Sequence, residues 1–250
     1  MAFSIASAPR TIMPNLTING TCAMTDPKTT QSTHDSIRQG KRLYTANQIT
    51  GVILAGGKAR RMNGQDKGLV ELNGQAMVNY IAHSLQHQVA SLCINANRNQ
   101  NTYANITGLP VISDTIGDFA GPLAGMASAM AYNTLPYLVA VPCDSPLLDN
   151  NLVGRLYDAI ATSNADIALA KCDDKLQPVF VLLKTALRPS LEAFLKSGGR
   201  KIIDWYYQHA VVEVDFSDAP LMFENVNAPD DLQRLSDHLA SDESLARSEP

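Results

Sequence analysis

From Thr50 onward the chain alternates between short apolar runs and longer stretches in which apolar residues recur every three or four positions. A continuous apolar run closed by turn residues suits a strand buried on both faces, and the wider spacing suits a helix with one buried stripe. The runs GVILA, SLCINAN, PVISD, PYLVAVPCDSP, ADIALAK, QPVFVLLK and AVVEVDF therefore predict strands. Between the first two, MVNYIAHSLQHQV predicts a helix whose stripe is Met77, Val78, Ile81, Leu85 and Val89. GPLAGMASAMAYN predicts another, with Pro122 near its first turn, where a missing N–H costs little. NLVGRLYDAIATS, TALRPSLEAFLKSG, RKIIDWYYQH and PDDLQRLSDHL complete the helices, and MFENVNAP reads as a short extended piece before the last of them. Strands alternating with helices predict an α/β fold, a doubly wound, mostly parallel sheet with helices on both faces. Such sheets bind ligands beyond the carboxyl ends of their strands, so the chemistry is sought in the loops that follow each strand.

The first 46 residues show no such period and are rich in Ser, Thr, Asn and Pro, which predicts a disordered extension. Residues 47–240 read as a single domain and 241–250 as a frayed tail. Across all 250 residues the net charge is −4 and the hydrophobic content 45%, which suits a soluble globular protein. The mild acidity argues against general nucleic-acid or membrane-surface binding, so any anion site must be local. No apolar run approaches the roughly 20 residues of a membrane span. Cys22, Cys93, Cys143 and Cys172 form no CxxC pair and have no histidine at zinc-ligand spacing, which predicts scattered reduced thiols. His83 and His87 stand one helical turn apart with no third ligand evident, and read as surface histidines.

The loop after the first strand carries the densest chemistry. ITGVILAGGKARRMNGQDKGLVELNGQAM, from Ile49 to Met77, breaks from a buried strand into Gly56 and Gly57, then Lys58, Arg60, Arg61 and Lys67. Paired glycines permit positive φ and close backbone approach, and successive N–H groups can form an anion nest. With Arg60, Arg61 and Lys67 the loop fits a polyphosphate; the plain alternative is a solvated basic loop with turn glycines. Neither the G-x-x-x-x-G-K-[ST] phosphate loop nor the G-x-G-x-x-G dinucleotide fingerprint is present. Asp144 follows the fourth strand, where a carboxylate opposite a phosphate nest can bind Mg²⁺ or serve as a turn or N-cap residue. Asn95 can read a purine edge or stabilise a turn, and Asp114 ends the third strand, where a cap or turn carboxylate is the simpler role. Asn225 and Asn227 precede the last helix, and Asn227 also suits an N-cap. Arg200 and Lys201 meet a second anionic substrate or form a solvated charge pair.

From Leu54 to Lys67 the chain reads L-A-G-G-x-x-x-R-M-x-G-x-D-K, which resembles the nucleotidyltransferases, and specifically the molybdenum cofactor guanylyltransferases. That group usually reads R-M-G-G-x-D-K; Asn63 stands here for the first of those glycines, and asparagine tolerates the left-handed region better than other non-glycine residues. LVELNGQAM, INANRNQ, VISDTIGDFAGPLAGM, VPCDSP and ENVNAPDDL resemble further family blocks in the same order, over about residues 49–236. The resemblance implies a Rossmann-like nucleotidyltransferase fold whose N-terminal half binds GTP and whose C-terminal half binds molybdopterin. It implies transfer of GMP from GTP to the terminal phosphate of the molybdenum-molybdopterin cofactor, with release of pyrophosphate. It assigns nucleotide contacts to Leu54, Ala55, Gly56, Gly57, Lys67, Asn95, Asp114 and Asp144. Arg61 and Lys67 would hold phosphates as catalytic residues, and Asp144 would be both catalytic and the Mg²⁺ ligand. Gln177, Arg200, Lys201, Asn225 and Asn227 are the candidates for the second substrate.

Such a reaction uses the substrate's own ionised phosphate as nucleophile, so it needs positioning and charge stabilisation rather than a protein base. That accords with a sequence offering no Ser-His or Cys-His device. Cytidylyltransferases on the same cofactor and sugar-phosphate nucleotidyltransferases are alternatives on the same fold, as is a non-catalytic GTP-binding regulator. The related cytidine enzymes resemble L-A-A-G where this chain has Leu54-Ala55-Gly56-Gly57, which favours guanine. The expected protein is a cytoplasmic monomer, with GTP and molybdopterin as ligands and cofactor-delivering and molybdoenzyme-maturation proteins as partners.

Overall fold

The first apolar run forms β1 (Ile49–Leu54), buried along its whole length. A computed structural model of the protein describes residues 45–55, 66–116 and 121–246. The expected extension over residues 1–46 lies, except for its last two residues, outside the described residues, as do Gly56, Gly57 and Arg61. After the loop that follows β1, the chain re-enters through a single 3-10 turn at Lys67–Leu69. A two-stranded hairpin follows, β2 (Glu71–Leu72) against β3 (Gln75–Ala76). Its tip holds Asn73 at φ 51° and Gly74 at φ 76°, the two left-handed residues that a type I′ turn requires.

The helices and strands then alternate: α1 (Met77–Gln86), β4 (Ser91–Asn95), α2 (Gln100–Thr107), β5 (Val111–Ile112), α3 (Pro122–Tyr132), β6 (Tyr137–Pro142), α4 (Leu152–Ser163) and β7 (Ile167–Cys172). β8 (Lys175–Lys184), α5 (Arg188–Lys196), α6 (Ile202–Tyr206), β9 (Val211–Asp215) and α7 (Pro229–Ala246) complete the chain. Two expected elements end early: α1 stops before Val89, and Met222 and Phe223 lie in a 3-10 turn rather than an extended piece. α2 and the hairpin are additions to the expected set. α7 runs on to Ala246, past residue 241, where a frayed tail is expected.

Seven strands make one sheet in the order β5-β4-β1-β6-β8-β7-β9. All the pairings are parallel except those of β8, which runs antiparallel to both β6 and β7. The tight turn at Asp173, with φ 50°, lets β8 fold straight back on β7 without a crossover helix. One face of the sheet carries a core to which Val78, Ile81 and Leu85 of α1, Tyr103 of α2 and Leu152, Leu156 and Ile160 of α4 contribute. The other carries Leu123, Met126 and Met130 of α3 with Leu191, Leu195, Trp205 and Tyr206. A smaller cluster of Val70, Leu72, Met77, Val226 and Leu235 ties the hairpin to the start of α7. Among the described residues no helix is long and apolar enough to cross a membrane.

The chain leaves β1 toward β4 on one side and returns through α3 to β6 on the other. That reversal opens a crevice beyond the carboxyl ends of β1 and β6, the usual ligand position in such sheets.

Candidate active site

Three separated segments converge on that crevice. Lys67 enters from the 3-10 turn, Asp144 lies two residues beyond β6, and Asn225–Asn227 precedes α7. The segment is clamped to the strand end by Val226 N donating to Asp144 O at 2.9 Å. Val226 is fully buried, and in an extended piece alternate side chains share a side, so Asn225 and Asn227 both turn outward. Lys67 Nζ donates to Asp144 Oδ2 at 2.8 Å and to Asn227 Oδ1 at 2.5 Å. Ser145, buried beside Asp144, donates from Oγ to Asn225 Oδ1 at 2.7 Å.

Asn227 therefore does not cap α7 with its side chain. That work falls to Asp231, whose Oδ2 accepts from the backbone N–H groups of Asn227 and Ala228, each at 2.9 Å. These bonds, the Asn227 amide first, hold the Asp231 carboxyl below its ordinary pKa. A carboxylate at the helix start satisfies free amides and complements the helix dipole. It also leaves the Asn227 carboxamide free to face Lys67.

A second group lies at the ends of β4 and β5. Asp114 accepts from Asn95 Nδ2 at 3.0 Å on one oxygen and from Asn97 Nδ2 at 2.8 Å on the other, and its own N–H donates to Asn97 Oδ1 at 2.9 Å. Among the described residues, then, the partners of the Asp114 carboxylate are two side-chain amides, which fix its plane. Gly125 of α3 packs directly on this group, since a Cβ there would lie 2.4 Å from Asn95 Oδ1 and 2.7 Å from Leu54 Cδ2. Gly125 therefore serves close packing on the sheet. Leu54 and Ala55 join the two groups, with Ala55 N donating to Asn95 O and Leu54 O accepting from Cys143 N.

Gln177 is half-buried in the first part of β8, which the antiparallel register carries past the carboxyl end of β6. Arg200 and Lys201 are exposed between α5 and α6. Arg200 Nη1 donates to Leu195 O and Gly199 O, closing the C-terminus of α5. No hydrogen bond or ion pair among the described residues joins either of them to the Lys67–Asp144 group. Asn97, Asp66, Ser145 and Tyr103 also take part; the first three lie inside the blocks INANRNQ, G-x-D-K and VPCDSP, which is the available signal, and Tyr103 lies three residues past the first of these blocks.

Among the described residues no group of three or more His, Cys, Asp or Glu is gathered to hold a metal. Asp144 fits a different kind of site. Its carboxylate is 17% exposed, and Lys67 is its one charged partner among the described residues, on Oδ2. Magnesium ions favour such a site, with one or two carboxylates, substrate phosphates and water completing six oxygens. Burial, then the neighbouring Asp144, pushes the Cys143 thiol up, so it is not a thiolate nucleophile. The arrangement can bind and neutralise a polyanion.

Residues 51–211 match the family described as the MobA-like NTP transferase domain. The chain is 51% identical over 193 residues to the molybdenum cofactor guanylyltransferase of Shewanella loihica, covering 77% of this chain and 98% of that one. It is 47% identical over 199 residues to the protein of the same name from Shewanella piezotolerans, covering 80% and 97%. Among solved structures it resembles molybdopterin-guanine dinucleotide biosynthesis protein A from Archaeoglobus fulgidus, with a TM-score of 0.62 at 22% identity over 77% of this chain and 99% of that one. At that identity the structural likeness speaks to the fold.

Proposed function

The chain belongs to the MobA-like NTP transferase family, and from that premise we infer that it transfers GMP from GTP to the molybdenum-molybdopterin cofactor, releasing pyrophosphate and forming molybdopterin guanine dinucleotide. The observation that carries the reading is the meeting of Lys67, Asp144 and Asn227 beyond β6, in a chain half identical to enzymes of that name. A terminal phosphate oxygen of molybdopterin attacks the α-phosphorus of GTP. The bond from that phosphorus to the bridging oxygen breaks, and the electron pair leaves with pyrophosphate. The attacking phosphate is ionised at neutral pH, so no proton need be removed, and catalysis is positioning and charge stabilisation.

Lys67 and Arg61 hold the phosphates; Lys67 exchanges its bonds to Asp144 and Asn227 for phosphate oxygens as GTP arrives. Asn95 and Asp114, with Leu54, Ala55, Gly56 and Gly57, form the nucleoside side of the site. The carboxylate held between Asn95 and Asn97 can accept from N1–H and N2–H of guanine together, a donor pair that neither adenine nor cytosine offers. Enzymes of this family typically use a divalent metal; here Asp144 would hold Mg²⁺, which when bound supplies positive charge to the phosphate oxygens. The N-terminal half thus serves GTP and the C-terminal half molybdopterin, with Gln177, Asn225 and Asn227 on the pterin side. Arg200 belongs to that side only if its bonds to the α5 carbonyls are released, and Lys201 is its exposed neighbour. The protein acts as a cytoplasmic monomer that meets cofactor-delivering and molybdoenzyme-maturation proteins.

The test is pyrophosphate release with GTP, CTP or ATP, with and without molybdenum-loaded molybdopterin. Release with GTP alone among the three, and only with the pterin present, is expected. Preference for CTP, or release without the pterin, would reject the assignment.

A further inference from the structure

Asp66, the residue before Lys67, is a carboxylate that the reaction leaves without a role. It is 7% exposed, and its charge sits next to a site that must attract a polyanion. By charge alone it opposes phosphate binding, and its burial adds a desolvation cost. What it gains is a fixed set of partners from α2. Tyr103, fully buried, donates its hydroxyl to Asp66 Oδ1 at 2.6 Å, and Asn99 donates Nδ2 to Oδ2 at 3.2 Å. Asn99 is held at φ 52° on the approach to α2. The Tyr103 hydroxyl is also wedged against Gly68, where a Cβ would lie 2.6 Å from it and 3.2 Å from Cys143 Cβ. Burial, then Cys143 and the hydrogen bond to Asp66, keep the tyrosine well above its ordinary pKa, so it remains a donor at any working pH.

We propose that Asp66 and Tyr103 are a positioning pair that aims Lys67 at the nucleotide phosphates. Asp66 has an extended backbone, with φ −77° and ψ 118°, so its side chain and that of its neighbour leave on different sides. Pinning Asp66 inward on α2 turns Lys67 outward, and its ammonium reaches Asp144 at 2.8 Å. The 3-10 turn is closed from the same residue, by Leu69 N donating to Asp66 O at 3.0 Å. A lysine whose backbone is already anchored loses less freedom when it grips a phosphate. This inference rests on the reading of Lys67 as a phosphate ligand.

The test is a double-mutant cycle in the full chain, with KM for GTP and kcat measured well below the melting temperature. Tyr103→Phe keeps the ring and removes the donor. It should raise KM for GTP about five- to tenfold while kcat stays within about twofold, the pattern of lost binding rather than lost folded enzyme. Asp66→Ala should raise KM likewise, and Asp66→Asn, whose amide oxygen can still accept from Tyr103, should recover part of it. In a Lys67→Ala background Tyr103→Phe should add almost nothing, because the residue it positions is gone. The proposal is overturned if Tyr103→Phe lowers the melting temperature with KM unchanged, or if its effect on KM multiplies undiminished with that of Lys67→Ala. A Lys67→Ala variant with wild-type kcat/KM for GTP would overturn the phosphate reading itself, and this inference with it.

Discussion

Asp144→Asn separates charge from shape at the centre of the site. Asparagine keeps the size and can still accept from Lys67, so the fold should lose at most about 1 kcal/mol, the upper end for an ion pair that keeps some contact with solvent. If the carboxylate holds Mg²⁺, its loss leaves developing phosphate charge uncompensated, and turnover should fall on the order of a hundredfold or more. The measurement is turnover across a magnesium titration with a thermal melt as control. Near wild-type turnover at ordinary magnesium would reduce Asp144 to a turn residue. At this scale the sequence was most legible where a polar residue ends an apolar run: Asn95, Asp114 and Asp144 all stand at strand ends. Asn97 and Asp66 were not legible, because their roles come from partners distant in sequence, Asp114 and Tyr103. Arg200 shows the converse. Two cationic residues beyond a glycine pair suggest an anion site, yet the guanidinium turns back to cap its own helix.

Among elements, the start of α7 links helix capping to the site. Asp231 holds the amides before the helix and thereby the approach to Asn227. Asp231→Ala should cost about 0.5–1 kcal/mol of stability near neutral pH, by analogy with other lost caps. It should also weaken Lys67's contact with Asn227. The carboxyl is depressed in the folded state, so its contribution is present above its ordinary value of 3.8 and is lost as the pH falls through the lower folded value. Wild type and Asp231→Ala should therefore differ in urea midpoint near pH 7 and converge in acid, and a gap that is constant with pH would reject the capping role. Most elements could be read from periodicity because burial imposes it. α2 could not: QNTYANIT is polar, and Tyr103 is its only fully buried residue. The direction of β8 was equally hidden, since a strand covered on both faces has the same apolar run either way. The β2–β3 hairpin did carry its usual mark, Asn73-Gly74, within the block LVELNGQAM.

For the whole molecule, the family match begins at residue 51, which leaves residues 1–46 outside it. Their composition lacks a core-forming pattern, so removing them should shift the melting temperature by less than about 2 °C and leave GTP turnover unchanged. A drop of many degrees in the shortened protein would show that they contribute to the fold. The site is drawn from widely separated parts of the chain. Lys67 is 77 positions from Asp144 and 160 from Asn227. Synthesis is directional, and domains are completed as their last segments become available. During translation, then, Lys67 leaves the ribosome long before Asn227, the asparagine that completes its surroundings. A ligand that binds only the finished arrangement adds stability only to that arrangement. The crevice is therefore complete only once synthesis has passed Asn227 and the segment before α7 has closed on the strand end.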